Sequence, residues 1–280
     1  MTLSVRSTLP EEMDGENVDT ATYQRCLSEL DFINRLTFTH RPTLRWLAAA
    51  TRGLPVGSTF SVLDVAYGHG DLLRVIARWA DRRGLKAQLS GIDLNPRSAV
   101  AARSATAPSV AIDYQTGDVF SYTPTVRPDF IVSSQFTHHL NDRDVVRFLT
   151  WLEENSVYGW HIADLQRHAV PYYGFQLLAG LMGWHRIVRS DGTISIARSF
   201  RRGEWQAYLN IAGVQAEVSS HIGFRLCVST GFYHGARAGS AEADRAALLS
   251  SGQPDSSVRP PARHVNPLVA ARPCYPRSSA

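Results

Sequence analysis

Two groups of residues in this chain have the types and spacing to do chemistry. The first is a stretch of bare backbone. In residues 62–73, VLDVAYGHGDLL, an apolar run carries Asp64 and gives way to Gly68 and Gly70 before a helical period begins. Glycine lets backbone come close to a ligand, and a helix N-terminus offers unpaired N–H groups, so such a turn can hold a polar or anionic molecule. The second group is the adjacent pair His138 and His139, with Asp164 further along. Imidazole titrates near neutral pH, so either histidine has a suitable pKa to take a phenolic or enolic proton. Plainer roles stand beside that one. Loop histidines satisfy backbone groups or cap a helix, and an acid at a strand end caps the next helix.

The glycine turn alone does not choose its ligand. A dinucleotide pyrophosphate calls for G-x-G-x-x-G, and the third glycine position is Leu73 here. Two acids narrow the choice. Asp93 ends a predicted strand 23 residues beyond Gly70, where a carboxylate can accept both hydroxyls of an adenosine ribose. Asp118 follows the next predicted strand, where it can accept the amino group of an adenine. Three such positions at the carboxyl ends of three successive strands point to adenosine.

Periodicity supplies the elements that must position these residues. Strands are predicted at 60–65, 88–92, 110–116, 130–134, 160–165, 215–220 and 224–230. Helices are predicted at 71–83, 96–105, 141–151 and 202–212, with two more inside 23–51 broken near Pro42. Strands alternating with amphipathic helices imply an α/β fold with a mostly parallel seven-stranded sheet, its last strand antiparallel. Residues 167–200 form an aromatic insertion. A flexible arm is expected at 1–20, one domain at 21–234, and a disordered tail rich in Ala, Ser, Pro and Arg at 235–280.

Composition removes several function classes. The chain has 280 residues, 44% hydrophobic and 19% charged, which suits one globular domain. Of the formal charge of +4, six arginines against three acids after residue 234 supply +3, so the rest is nearly neutral. With no basic cluster there, no nucleic-acid partner is expected. Cys26, Cys227 and Cys274 are odd in number and lack metal-ligand spacing, so they read as free thiols, and no metal is expected. The acids Glu11, Glu12, Asp14 and Glu16 exclude a signal peptide, which places the chain in the cytoplasm. The apolar stretch 170–184 is too short and interrupted for a transmembrane span.

Together these residues resemble the class I S-adenosylmethionine (SAM)-dependent methyltransferase family over roughly residues 22–232. VLDVAYGHG at 62–70 is similar to the family's first motif, with Ala66 where glycine is commoner. GIDLNP at 91–96 is similar to the second motif, and GDV at 117–119 to the adenine-side motif. DFIVSSQFTHHL at 129–140 resembles the fourth-strand motif of relatives acting on quinones and polyketides, which also share INRL at 33–36 and an acid like Asp164. The resemblance implies a Rossmann-like sheet with helices on both faces and SAM as cofactor. It implies cofactor contacts from Asp64, Ala66, Gly68, His69, Gly70, Asp93, Leu94, Gly117, Asp118, Val119, Ser134 and Gln135. It assigns catalysis to His138, His139 and Asp164, on a small hydrophobic acceptor of phenolic, quinone-like or polyketide type. Residues 170–184 would form a lid over that acceptor, flexing at Gly180 and Gly183, with an ordinary core helix as the plainer alternative. His185, Arg186 and Arg189 leave transient membrane contact open. Two rival readings are a non-catalytic SAM-binding module and a nucleotide-dependent oxidoreductase, the latter opposed by Leu73.

Overall fold

The computed structural model describes residues 3–15 and 17–231, so the predicted disordered tail and Cys274 lie outside the described residues. Helices α1 (Thr20–Leu36) and α2 (Arg41–Ala50) precede the alternating part, which runs β1 (Thr59–Val65), α3 (Asp71–Arg82), β2 (Lys86–Asp93), α4 (Pro96–Ala105) and β3 (Ile112–Thr116). Then follow β4 (Phe130–Ser134), α5 (Asp142–Asn155), β5 (Gly159–Leu165), α6 (Ala169–Leu181), α7 (Arg186–Arg198), α8 (Arg202–Ala212), β6 (Glu217–His221) and β7 (Arg225–Ser229).

The seven strands lie in the order β3-β2-β1-β4-β5-β7-β6. Strand order reverses between β1 and β4, which pair in parallel, and β7 runs antiparallel to both β5 and β6. Successive residues of a strand face opposite ways, and here they feed two cores. Leu63, Val65 and Ile131 join α5 and α8 on one face, whereas Phe60, Val62, Phe130 and Val132 join α2 and α3 on the other. This is the Rossmann-like sheet with helices on both faces that the resemblance implies.

Two features of α3 explain its fit. Gly84, at φ +67°, supplies the left-handed turn after the helix. Leu73 is fully buried against Gly91 of β2, where a Cβ would lie 3.1 Å from Leu73 and 2.5 Å from the ring of Tyr67 in the preceding turn. A bulky residue at the third glycine position is therefore compatible with this packing.

One expectation is corrected. The described residues of the stretch 3–19 are not a free arm. Arg6 donates to the carbonyls of Arg198, His138 and Leu140, the amides of Glu12 and Met13 donate to Asp191, and Val18 is buried. Its acids look solvated in the sequence because their partners lie more than 120 residues away. The insertion folds as two helices, α6 and α7, turned at Gly183. Trp184, Ile187 and Val188 pack against Tyr23, Cys26 and Leu27 of α1. Among the described residues no helix is long and apolar enough to cross a membrane.

Candidate functional site

The turn after β1 is held in a conformation that L-residues avoid. Ala66, Gly68 and Gly70 have φ of +60°, +52° and +70°. Alanine there costs about 1–2 kcal/mol, and glycine very little. A Cβ on Gly70 would meet the Tyr114 hydroxyl at 2.4 Å, so no side chain fits. The Gly68 N–H donates to Asp93 Oδ2 at 2.8 Å, while Asp93 Oδ1 accepts from the Asn95 N–H at 2.8 Å. Burial raises the Asp93 pKa against these two bonds.

Beyond β3, Gly117 donates to the Asp93 carbonyl at 2.9 Å, and exposed Asp118 accepts from the Phe120 N–H. Leu94 is 73% exposed, and Ser134 and Gln135 end β4. These residues thus share the carboxyl edge of four neighbouring strands, where sheets of this kind bind ligands. Some side chains on the sequence-based roster do not face that edge. Asp64 is 2% exposed beneath the turn, and burial, with Asp71 and Asp93 nearby, raises its pKa well above the ordinary aspartate value. The His69 ring turns toward Arg74 and Asp31 of α1. Val119 is buried in the core.

A buried chain of side chains crosses from this turn to the other half of the sheet. Asp71, the first residue of α3, accepts from His40 Nε2 at 2.8 Å and Asn34 Nδ2 at 2.9 Å. These partners hold its carboxyl below the usual range although burial opposes ionisation. Asn34 accepts in turn from Gln135 Nε2 at 2.7 Å, and Gln135 accepts from Arg225 Nη1 at 3.1 Å. Arg225 Nη2 donates to Thr39 at 2.7 Å. Burial pushes the Arg225 guanidinium down to about 10. The Gln135 amide is therefore committed to the protein, and its backbone N–H donates to the Ala163 carbonyl at 2.9 Å.

At the ends of β4 and β5, Asp164 accepts from the Thr137 hydroxyl, from the His138 N–H at 2.9 Å and from His138 Nδ1 at 2.8 Å. His138 is 2% exposed. Burial works against its imidazolium, but Asp164 and Glu11 outweigh burial and raise its pKa to about 9. Asp164 in return is held at about 2, burial again opposing. Helix capping falls to other residues, with Asn141 capping α5 and His168 capping α6. The capping alternatives for His138, His139 and Asp164 are thus not what these side chains do.

Residues 62–154 match the family model described as a methyltransferase domain. That match spans a third of the chain and is consistent with the class I SAM-dependent methyltransferase family. In fold it is similar to a SAM-dependent methyltransferase from Aquifex aeolicus, at 16% identity and TM-score 0.53, over 76% of this chain and 98% of that one. It is also similar to the plantazolicin methyltransferase BamL, solved with a triazolic desmethylPZN analog and SAH, at 15% identity and TM-score 0.54, over 84% and 86% of the two chains. No curated protein matches this sequence significantly.

The residues present fit SAM, the cofactor that the resemblance implies: Gly68 and Gly70 leave bare backbone where a Cβ would intrude or strain, and the acids Asp93 and Asp118 lie at the ends of the next two strands. Four residues escaped the sequence reading of the methyltransferase site. Glu11, Asp71 and Arg225 carried no local signal, because each acquires its role from a partner distant in the chain. Asn34 sits in the INRL stretch, which was noted as a shared motif without a function.

Proposed function

We propose that this methyltransferase moves the methyl group of SAM to an oxygen of a small hydrophobic acceptor, phenolic, quinone-like or polyketide in type. The observation that carries the proposal is the buried Asp164–His138 pair at the carboxyl ends of β5 and β4. SAM supplies a methyl group activated on a sulfonium. The protein must then align the acceptor for in-line displacement and, for a hydroxyl, remove one proton. Asp164 orients His138, whose Nε2 faces Glu11 at 3.5 Å. Because these carboxylates raise its pKa to about 9, His138 takes the acceptor's proton only in the neutral form that prevails above that pH, and we assign the acceptor hydroxyl to the place beside Nε2. We assign the described residues of 3–19, with α6 and α7, to the roof of the acceptor side. His139 lies at its rim, with Nδ1 3.1 Å from Asp14. Ser134, Gln135, Asp93, Leu94, Gly117 and Asp118 are assigned to SAM, the last through its exposed carboxylate.

The test is a radiolabelled SAM assay against phenol, quinol and polyketide panels, alongside calorimetry with SAM and NAD. Labelled small-molecule product is expected, with turnover down at least about 100-fold in His138→Ala while SAM affinity stays within about 2-fold. NAD binding without SAM binding, or label found only on protein, would overturn it. One observation favours an added partner. Val170, Tyr173, Leu177 and Leu181 recur at helical spacing on α6 and are exposed, which supports transient membrane contact near a lipid-like acceptor. Liposome co-sedimentation without binding would remove that contact. A cytoplasmic setting is supported by buried, unpaired Cys26 and Cys227.

A further inference from the structure

We infer that Glu11, His138 and His139 form a binding site for a divalent transition-metal ion, zinc in the first instance. Their ligand atoms all lie within 4.8 Å of one another. Both rings are arranged as metal-binding imidazoles are. The Nδ1 of His138 is on Asp164 at 2.8 Å, and the Nδ1 of His139 is on Asp14 at 3.1 Å. Carboxylates in that position fix the tautomer and aim the other nitrogen. Both remaining Nε2 atoms then converge on one carboxylate. His138 Nε2 is 3.5 Å from Glu11 Oε1, and His139 Nε2 is 3.7 Å from Glu11 Oε2.

Those separations are long for hydrogen bonds and close to what a shared ion needs. Ligands at about 2.0–2.1 Å from a tetrahedral zinc stand roughly 3.3 Å apart. His138 Nε2 is buried and has no hydrogen-bond partner among the described residues. His139, with its side chain 27% exposed, has room to turn and close the remaining gap. A donor set of two imidazoles and one carboxylate suits zinc, cobalt or nickel better than magnesium or calcium, and three protein ligands leave one position open.

The nearby cations leave that position accessible. Ser195 donates to Glu11 Oε1 at 2.9 Å and Arg198 Nη1 lies 3.8 Å from it, which leaves Oε2 for the ion. Arg6 and Arg198 otherwise donate to the carbonyls of His138, His139 and Leu140. Arg6 pairs with Asp142 and Arg198 lies near Glu11, while Asp164 and Asp14 hold the two rings. On binding, the rings coordinate as neutral imidazoles and any proton on Nε2 leaves to solvent. An ion there would take the nitrogen assigned above to the acceptor hydroxyl, so the two occupants can be told apart.

The experiment titrates zinc into the untagged, chelator-stripped full chain by calorimetry, with metal content measured after dialysis and cobalt(II) added as a spectroscopic reporter. One ion per chain is expected, with a tetrahedral cobalt absorption. His139→Ala and Glu11→Gln should each weaken binding by at least about 30-fold, and Asp14→Asn by about 10-fold. His139 is at the rim, and far-UV dichroism would check that its variant folds. No stoichiometric binding, or binding that survives both ligand variants, overturns the site. Loss in Cys26→Ser alone does so too, since Cys26 Sγ and His185 Nδ1 are 3.6 Å apart and offer a rival pair. SAM affinity is read in a separate titration, so failure of the methyltransferase reading shows there and not in the metal count.

Discussion

Along the carboxyl edge of the sheet, the half made by β1, β2 and β3 presents mainly backbone, and the half made by β4, β5 and β7 presents charged side chains. Gly68, Gly70, Asp93 and Asp118 lie within about fifty residues of one another and are shaped by the turns that carry them. The other half is assembled from afar. Glu11 comes from the N-terminal stretch, Arg198 from the end of α7 and Arg225 from β7, and all reach groups at the ends of β4 and β5. The family model covers 62–154 and so ends before most of these contributors. A cofactor common to many enzymes is met by a local turn. The part that must recognise a particular acceptor depends on how distant segments dock.

The largest effect should come from the seam between the halves. Asp71→Ala leaves His40 and Asn34 without their buried acceptor, and breaking such a pair costs about 3–5 kcal/mol in chemical denaturation. Because the Asp71 carboxyl is held below its ordinary range, its stabilisation is present above about pH 4 and fades as pH falls further. A variant that lost SAM affinity with unchanged stability would show that the seam supports one half only.

Next is Asp164→Asn, which weakens charge-assisted bonds worth about 1.5–3 kcal/mol each. Turnover should drop by about 100-fold or more while SAM affinity moves less than about 3-fold. Equal loss of both would erase the contrast between the halves. The converse variant, Asp93→Asn, should weaken SAM by about 10-fold to 30-fold, roughly 2 kcal/mol, and leave the fold of α6 and α7 untouched by limited proteolysis.

The smallest effect concerns His161 in β5, buried against Trp46 with both ring nitrogens unpartnered among the described residues. Burial, reinforced by His221, lowers its pKa to about 3. The unfolded chain therefore binds the proton first, so stability is full above about pH 6.5 and falls as pH drops. Between pH 7.5 and 5.5 the loss should be about 1.4 kcal/mol, and His161→Leu should remove that difference in denaturant titrations. A pH response unchanged in His161→Leu would place the acid sensitivity elsewhere.

Much of the fold was legible before the structure. The helix 96–105, the strand 130–134 and the helix 202–212 have the bounds read from periodicity, because apolar spacing and caps such as Asn95 act within a few residues. The β3 and β6 starts shifted by two residues, as edge strands with weak alternation do. The arm was misread because a run of acids gives no hint of the arginines and histidines that meet it.

By itself the sequence determined the alternation of strands and helices, the glycine turn and the strand-end acids, since backbone conformation and hydrophobic period are set by neighbours in the chain. Only the tertiary structure decided which groups His138, His139 and Asp164 meet. A loop histidine can cap, pair or coordinate, and the choice was made by Glu11 and Asp14 arriving across more than 120 residues of chain. Charge pairing at that distance has no sequence period, and only a compact fold brings such groups together.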